Sequence, residues 1–265
     1  STFAQIEAAV DRGNDILMSK IKGLKTLKNR TFFVGDESKF PKGCRSCLLG
    51  SGLNAIRKTN KCNMECKFCY DYGELEDVPP IGEGMWEIGA TRFFDRDIDL
   101  LLSIQKKPTG ICYVYLEPFM EIEKYYPVIK KFSDAQVYQH LYTNGILATE
   151  KTLKALGEAG LDEIRFNLGA SECSDKVIQN IGTAKKYIKN VGIETPMTPE
   201  FFKDFSKKKQ AILDTKLDFI NCAELHLNEN NIDNYYGENM YISRQGYISP
   251  IWSRQLTLKF MKIAD

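Results

Sequence analysis

The stretch Lys61-Cys62-Asn63-Met64-Glu65-Cys66-Lys67-Phe68-Cys69-Tyr70 decides how the rest of the chain is interpreted. Its cysteines, Cys62, Cys66 and Cys69, are spaced C-x3-C-x2-C. Cysteine thiolates are the usual ligands of iron–sulfur clusters, and a [4Fe-4S] cluster ordinarily takes four of them. Three cysteines therefore hold three irons and leave the fourth iron open to a substrate or cofactor, just as a catalytic zinc keeps an open position.

A second interpretation uses an upstream pair, Cys44 and Cys47. With Cys62 and Cys66 this pair gives C-x2-C-x14-C-x3-C, which is close to the spacing of a zinc ribbon. The chain would then be a non-enzymatic zinc or iron–sulfur module. The long α/β pattern that follows favours the iron–sulfur enzyme, because a zinc ribbon alone does not need it. The same pair could instead hold a second metal or an extra cluster with partners such as Cys112, Cys173 or Cys222. It could also be a redox pair, or two small apolar residues in a turn.

Composition limits the class of protein. The chain has 265 residues, 43% of them hydrophobic, which is enough for one large domain such as an α/β barrel. The net charge of +1 gives no argument for a nucleic-acid or membrane surface. The 8 cysteines, in a large chain whose first residues do not look like a signal peptide, favour metal ligation in a reducing cytoplasm over disulfides.

The cysteine loop resembles the signature of the radical S-adenosylmethionine (radical SAM) superfamily, C-x3-C-x-(aromatic)-C, with Phe68 at the aromatic place. The resemblance implies that S-adenosylmethionine binds the open iron through its amino and carboxylate groups. An electron from the cluster, supplied by a donor such as flavodoxin or ferredoxin, then cleaves it to methionine and a 5′-deoxyadenosyl radical. That radical takes a hydrogen atom from a substrate.

The pattern after the loop predicts alternating strands and helices, which is typical of a parallel sheet covered by helices. Six units match the open parallel (βα)6 partial TIM barrel that the resemblance implies. The predicted strands are Leu53–Lys58, Gly110–Leu116, Gln136–Tyr142, Asp162–Leu168, Val191–Thr195 and Leu217–Cys222. We expect an N-terminal helical extension (1–42), a barrel core (43–222) and a C-terminal cap (223–265). The extension is a helix over Thr2–Leu27, residues 33–52 are a loop, and the cap contains a hairpin and a closing helix.

Two motifs at predicted strand ends extend the resemblance. Glu117 and Pro118 match the family's G-G-E-P motif, which binds the amino group of the methionine moiety, although Tyr115 and Leu116 replace the two glycines. Glu117 could also be an acid at a helix N-terminus. The run Thr143-Asn144-Gly145 matches a T-N-G found near the ribose, notably in activating enzymes of glycyl-radical proteins, and it is also a common turn sequence.

Later strands supply the other cofactor candidates that the resemblance implies. Asn167 is assigned to the ribose, and Arg165 is a candidate for a carboxylate. Thr195 and Met197 follow the strand on the adenine side. Aromatic rings suit the flat face of adenine, so Phe68 and Tyr70 are expected to pack against its edge.

The run from Asn221 to Asn228 resembles one in a small radical SAM branch with archaeal members, which also carries a G-C-x-x-C pair before the cluster loop. Asn221, Glu224 and His226 are therefore candidates on the substrate side, with Glu224 and His226 assigned to catalysis; His226 could equally be a packed or surface histidine. Activation of a glycyl-radical partner and modification of a small molecule or peptide both remain open.

Overall fold

The computed structural model describes residues 2–28, 31–49, 53–71, 81–88, 91–104, 110–243 and 246–265. Their α-helices are α1 (Phe3–Ser19), α2 (Lys42–Leu49), α3 (Ile98–Ile104), α4 (Tyr126–Asp134), α5 (Glu150–Ala159), α6 (Asp175–Ala184), α7 (Pro199–Asp214) and α8 (Ile251–Ala264). Their strands are β1 (Lys25–Leu27), β2 (Thr31–Phe33), β3 (Leu53–Arg57), β4 (Met85–Ile88), β5 (Thr91–Phe94), β6 (Gly110–Tyr113), β7 (Gln139–Thr143), β8 (Glu163–Phe166), β9 (Asn190–Pro196), β10 (Phe219–Ala223), β11 (Met240–Ile242) and β12 (Ile248–Pro250).

The main sheet has eight strands in the order β10-β9-β8-β7-β6-β3-β4-β5. The six from β10 to β3 pair in parallel, and each matches one of the six predicted strands. Connections between parallel neighbours pass through helices, as parallel pairing requires. The mostly parallel open sheet therefore confirms the predicted α/β partial barrel.

The two faces of the sheet differ in chemistry. Ile111, Leu141 and Ile164 are almost completely buried in the hydrophobic core against the surrounding helices. On the inner face, His140 of β7 is in register with Glu163 of β8, and both are buried. Alternate side chains of a strand point to opposite faces, so Leu141 and Ile164 face the helices while His140 and Glu163 face inward.

Two local predictions were wrong. The predicted helix over Thr2–Leu27 ends at Ser19, and Lys25–Leu27 forms β1 instead, paired antiparallel with β2. Gly23 lies between these elements, and its amide donates to Asp265 Oδ1 at 2.7 Å. A glycine ahead of a strand weakens helix continuation, which explains the early end.

The predicted loop over residues 33–52 contains the helix α2. Its sequence includes Gly43 and Ser46, which are poor helix formers, so local propensity hides it. The antiparallel hairpin of β4 and β5 was also not predicted; it extends the sheet beyond β3.

The two ends of the chain meet. Helix α1 packs against α8 and β11, so the N-terminal extension and the C-terminal cap contact each other. The predicted hairpin and closing helix of the cap are present as β11, β12 and α8. The domain boundaries at residues 42 and 222 stay predictions. None of the helices in the described ranges is long and apolar enough to span a bilayer.

Candidate active site

The cysteine loop follows β3 at the carboxyl end of the parallel sheet, where ligand sites of such folds lie. Cys62 is exposed, and Cys66 and Cys69 are half-buried. The Cys69 amide donates to the Cys66 carbonyl at 2.9 Å, which closes a turn around the last two cysteines. Burial, with added repulsion from the Cys69 and Cys62 sulfurs, raises the pKa of Cys66 to about 12. The Cys66 sulfur is therefore close enough to those of Cys62 and Cys69 to feel their charge.

Glu117 joins the ends of two neighbouring strands. Its carboxylate accepts hydrogen bonds from Phe119 N at 3.0 Å, Thr143 Oγ1 at 2.8 Å and Asn144 N at 2.7 Å. Burial raises the pKa of Glu117 to about 7, and these three donors oppose the rise. Its own amide donates to the carbonyl of Lys61 at 3.2 Å, so the same residue also touches the cysteine loop.

Asn144 completes the link between the strand ends and the loop. Its Nδ2 donates to Asn63 Oδ1 at 2.7 Å, and its Oδ1 accepts from Ile146 N at 3.0 Å. Gly145 follows with a φ of +76°, and a Cβ there would lie 2.7 Å from the Phe166 ring. The Thr-Asn-Gly run is thus a tight turn that needs its glycine and that aims Asn144 at the cysteine loop.

The residues that replace the two glycines keep a backbone that glycine favours. Tyr115 has a φ of +74° and Leu116 a φ of +57°, both in the left-handed region. L-residues reach this region at a cost of about 1–2 kcal/mol each. The chain before Glu117 therefore keeps a glycine-like path although neither glycine is present.

Asn167 and Thr195 meet on either side of Gly169. A Cβ on Gly169 would lie 2.5 Å from Thr195 Oγ1 and 3.6 Å from Asn167 Oδ1. Asn167 Oδ1 also accepts from Ala170 N at 3.2 Å, and Asn167 N donates to the Thr143 carbonyl at 2.7 Å. Thus Asn167 and Thr195 lie at adjacent strand ends beside the Thr-Asn-Gly turn.

The remaining cofactor candidates differ in exposure. Met197 is fully buried in the hydrophobic core. Phe68 is half-buried, and Tyr70 keeps 54% of its surface exposed. The assignment of these three residues to adenine stays a prediction.

Arg165 lies inside the sheet and is 2% exposed. It forms ion pairs with Glu163 and Glu194, and its guanidinium lies 5.3 Å from the Tyr142 ring centroid and 5.4 Å from that of Phe219. The chain itself therefore supplies the carboxylates that Arg165 binds.

The substrate-side candidates lie where the chain leaves β10. Glu224 accepts from Tyr241 Oη and from Arg254 Nε, the latter at 2.9 Å. His226 stacks on Tyr247, with ring centroids 3.9 Å apart, and burial lowers its pKa. Both residues lie in the predicted cap and contact other parts of it, and their catalytic assignment stays a prediction.

Sequence reasoning missed a group of asparagines in the cap. Their side-chain amides donate to backbone carbonyls of the cysteine loop. The donors are Asn228, Asn230, Asn231 and Asn234. The only signal in the sequence is their density, four asparagines within seven residues.

The cysteines of the zinc interpretation lie in two environments. Cys44 is on α2, where burial raises its pKa to about 11 and Arg165 is its main charged neighbour. The charged neighbours of Cys66 are instead Cys69 and Cys62. Over the described ranges, no three His, Cys, Asp or Glu side chains converge as the ligands of one metal ion would. A cubane cluster spaces its thiolates more widely than one ion does, so this absence concerns sites for a single ion. A second metal at Cys44 and Cys47 stays a prediction.

Comparison with known proteins places the chain among archaeal relatives. It is 31% identical over 205 residues to "Putative glycyl-radical enzyme activating enzyme MJ0021" of Methanocaldococcus jannaschii, covering 73% of this chain and 52% of that protein. It is 23% identical over 175 residues to "Uncharacterized protein MJ0804" of the same organism, covering 58% of this chain and 54% of that protein. The chain thus spans about half the length of these relatives. No protein-family model matches it.

Two solved structures are similar to part of the chain. "Native anSMEcpe with bound AdoMet" is 17% identical with a TM-score of 0.47, covering 65% of this chain and 51% of that one. The same protein "with bound AdoMet and Cp18Cys peptide" is 16% identical with a TM-score of 0.49, covering 71% and 55%.

A three-cysteine loop lies at the carboxyl edge of the open parallel sheet and is tied to the next strand ends by Glu117 and Asn144. This loop carries the signature that resembles the radical SAM superfamily, and the chain is related in sequence to an archaeal putative glycyl-radical enzyme activating enzyme. The resemblance implies a [4Fe-4S] cluster and S-adenosylmethionine.

Proposed function

We propose that this chain is the radical SAM part of an enzyme in which Cys62, Cys66 and Cys69 hold a [4Fe-4S] cluster. The observation that carries the proposal is the hydrogen-bonded series from Asn63 in the cysteine loop through Asn144 to Glu117. When bound, the cluster and S-adenosylmethionine supply a 5′-deoxyadenosyl radical that abstracts hydrogen from a substrate.

Glu117 has the capacity to bind the amino group of the cofactor. A carboxylate offers about four lone-pair positions, and three are occupied by Phe119, Thr143 and Asn144. The remaining position suits an ammonium, and a cation there would favour the charged form of this buried carboxylate. Thr143, Asn144 and Asn167 supply hydroxyl and amide groups for the polar part of the cofactor.

Two classes of substrate are compatible with this function. The name of the archaeal relative supports a glycyl-radical partner protein as the hydrogen donor, and the Thr-Asn-Gly turn agrees with it. A small molecule or a peptide is the other route. Glu224 and His226, where the chain leaves β10, are the proposed substrate-side groups. We further propose a cytoplasmic enzyme reduced by flavodoxin or ferredoxin.

Two single substitutions separate this function from the zinc module. Cys69 belongs only to the cluster set, and Cys47 only to the zinc-ribbon set. We expect the anaerobically reconstituted wild type and Cys47→Ala to hold about four irons with sulfide, as a cubane requires, and to cleave S-adenosylmethionine when reduced. Cys69→Ala should lose cleavage. One zinc per chain, lost in Cys47→Ala and kept in Cys69→Ala, would replace the enzyme with the module.

A further inference from the structure

Four asparagine side chains of the cap contact the backbone of the cysteine loop. The segment 228–234 is called the asparagine segment below. Asn234 Nδ2 donates to the Lys67 carbonyl at 3.0 Å, and Asn231 Nδ2 donates to the Phe68 carbonyl at 3.3 Å. Asn228 and Asn230 both donate to the Tyr70 carbonyl, at 3.0 and 3.2 Å. These carbonyls lie on either side of Cys69.

Asn231 is the centre of the asparagine segment, and only 1% of its surface is exposed. Its Oδ1 accepts from Asn228 N at 2.9 Å, which fixes the local turn. Its Nδ2 is shared between the carbonyls of Phe68 and His226, at 3.3 and 3.2 Å. One buried amide therefore joins the exit of β10 to the cysteine loop.

The chemistry of the contact explains why asparagine recurs. A loop that presents carbonyl oxygens needs hydrogen-bond donors, and an amide supplies two without a charge. Lysine or arginine could also donate, but either would place a positive charge beside the cluster, and charge is one of the factors that set a cluster's reduction potential. Neutral donors hold the loop without adding a charge that would change the reduction potential of the cluster.

We propose that the asparagine segment is a positioning device for the cluster, which fixes the third ligand, Cys69, from the C-terminal cap. The proposal rests on the proposed function, since it assigns the segment to the same cluster. Asn231 is its principal positioning residue. Outer contacts of this kind orient metal ligands, and their loss typically weakens metal retention 10–100-fold.

The test uses an isosteric change. Asn231→Asp keeps the accepting oxygen toward Asn228 but turns an oxygen toward the carbonyls of Phe68 and His226. Asn234→Asp removes the single, exposed contact to Lys67. Glu229→Gln is the matched control, because Glu229 is exposed in the same segment.

The first measurement is hydrogen–deuterium exchange on the metal-free proteins, over a peptide containing residues 66–71. We expect faster exchange there in Asn231→Asp and Asn234→Asp, with wild-type exchange in Glu229→Gln. Unchanged exchange in both aspartate variants would overturn the proposal. If Asn231→Asp fails to fold, Asn234→Asp alone decides. The exchange measurement does not require a bound cluster. If the wild type binds no cluster, the proposed function is refuted, but the exchange measurement still tests whether the asparagine segment holds the cysteine loop.

The second measurement is the rate at which reconstituted protein loses iron to a chelator. We expect about tenfold faster loss for Asn231→Asp at pH 8, with an altered electron paramagnetic resonance spectrum of the reduced cluster. Equal rates of iron loss for Asn231→Asp and the wild type at pH 8 would contradict a donor role.

Discussion

Tyr115 and Leu116 carry a strain that glycine would avoid. Both have positive φ angles, and they directly precede the buried Glu117. Strained backbone persists where the surrounding structure holds it, commonly at functional sites. Here the holding contacts come from Glu117, whose carboxylate is tied to the next strand end at Thr143 and Asn144. The backbone conformation of Tyr115 and Leu116 is thus held by the hydrogen bonds of Glu117, and not by glycine residues.

His140 links stability to pH. It is 1% exposed, and burial, with the nearby positive charge of Arg165, lowers its pKa to about 3. Among the described residues, no group hydrogen-bonds its Nδ1. Below its unfolded pKa of 6.5 the unfolded chain binds a proton that the folded chain does not. Stability from this residue is therefore present above pH 6.5 and lost as the pH falls toward 3.

We predict that His140→Asn flattens the acid side of the stability profile. Between pH 7.5 and 5, the wild type should lose about 2 kcal/mol more unfolding free energy than the variant, at about 1.4 kcal/mol per unit. Neighbouring titratable groups, Cys44, Tyr142 and Glu163, are common to both proteins. Chemical denaturation at several pH values measures the difference. Parallel profiles would show that His140 does not titrate as described.

At the scale of an element, α2 is held by its surroundings rather than by its sequence. It packs on β3 and β6, and Gly43 allows its close approach to the inner face of the sheet. A Cβ at Gly43 would lie 2.7 Å from Arg165 Nη2 and 2.8 Å from His140 Nδ1. Both partners are almost completely buried, so neither can move away easily.

Glycine-to-alanine changes in two helices should therefore have opposite signs. In α1, a Cβ on Gly13 would meet nothing within 4 Å, so Gly13→Ala should stabilise the protein by about 0.5–1 kcal/mol. In α2, Gly43→Ala should destabilise it by about 1–3 kcal/mol, since overpacking outweighs the gain in helix propensity. Urea denaturation of both variants provides the check. Stabilisation by Gly43→Ala would mean that α2 is not packed against Arg165 and His140.

At the scale of the whole molecule, the sequence predicts what depends on local pattern. The six parallel strands are found because buried apolar runs alternate with helical segments, and the cysteine loop is found because its spacing is specific. Helix α2 is missed because Gly43 serves a contact distant in sequence. The asparagine segment is missed because its partners lie about 160 residues away. The sequence therefore predicts the six parallel strands around the site. It does not predict the contacts that α2 and the asparagine segment make with residues distant in sequence.

Within the C-terminal cap, the segment that leaves β10 is joined to α8 through a mostly buried ion pair. Glu224, just beyond β10, pairs with Arg254 of α8 and accepts from Tyr241 of β11. The side chains of Glu224 and Arg254 are 10% and 25% exposed. Removing one partner of such a pair leaves the other charge without compensation, so each single change is costly.

We predict that Glu224 and Arg254 are strongly coupled in stability. Glu224→Gln and Arg254→Met should each destabilise the protein, and the double variant should lose less than the sum of the two. The expected coupling is about 1–3 kcal/mol, as for contacting residues in one network. Lys208→Met is the control, because its ion pair with Asp175 is more exposed. A double-mutant cycle in urea measures the coupling. If the effects on stability simply add while Glu224→Gln alone abolishes turnover, Glu224 acts on the substrate and does not brace the cap.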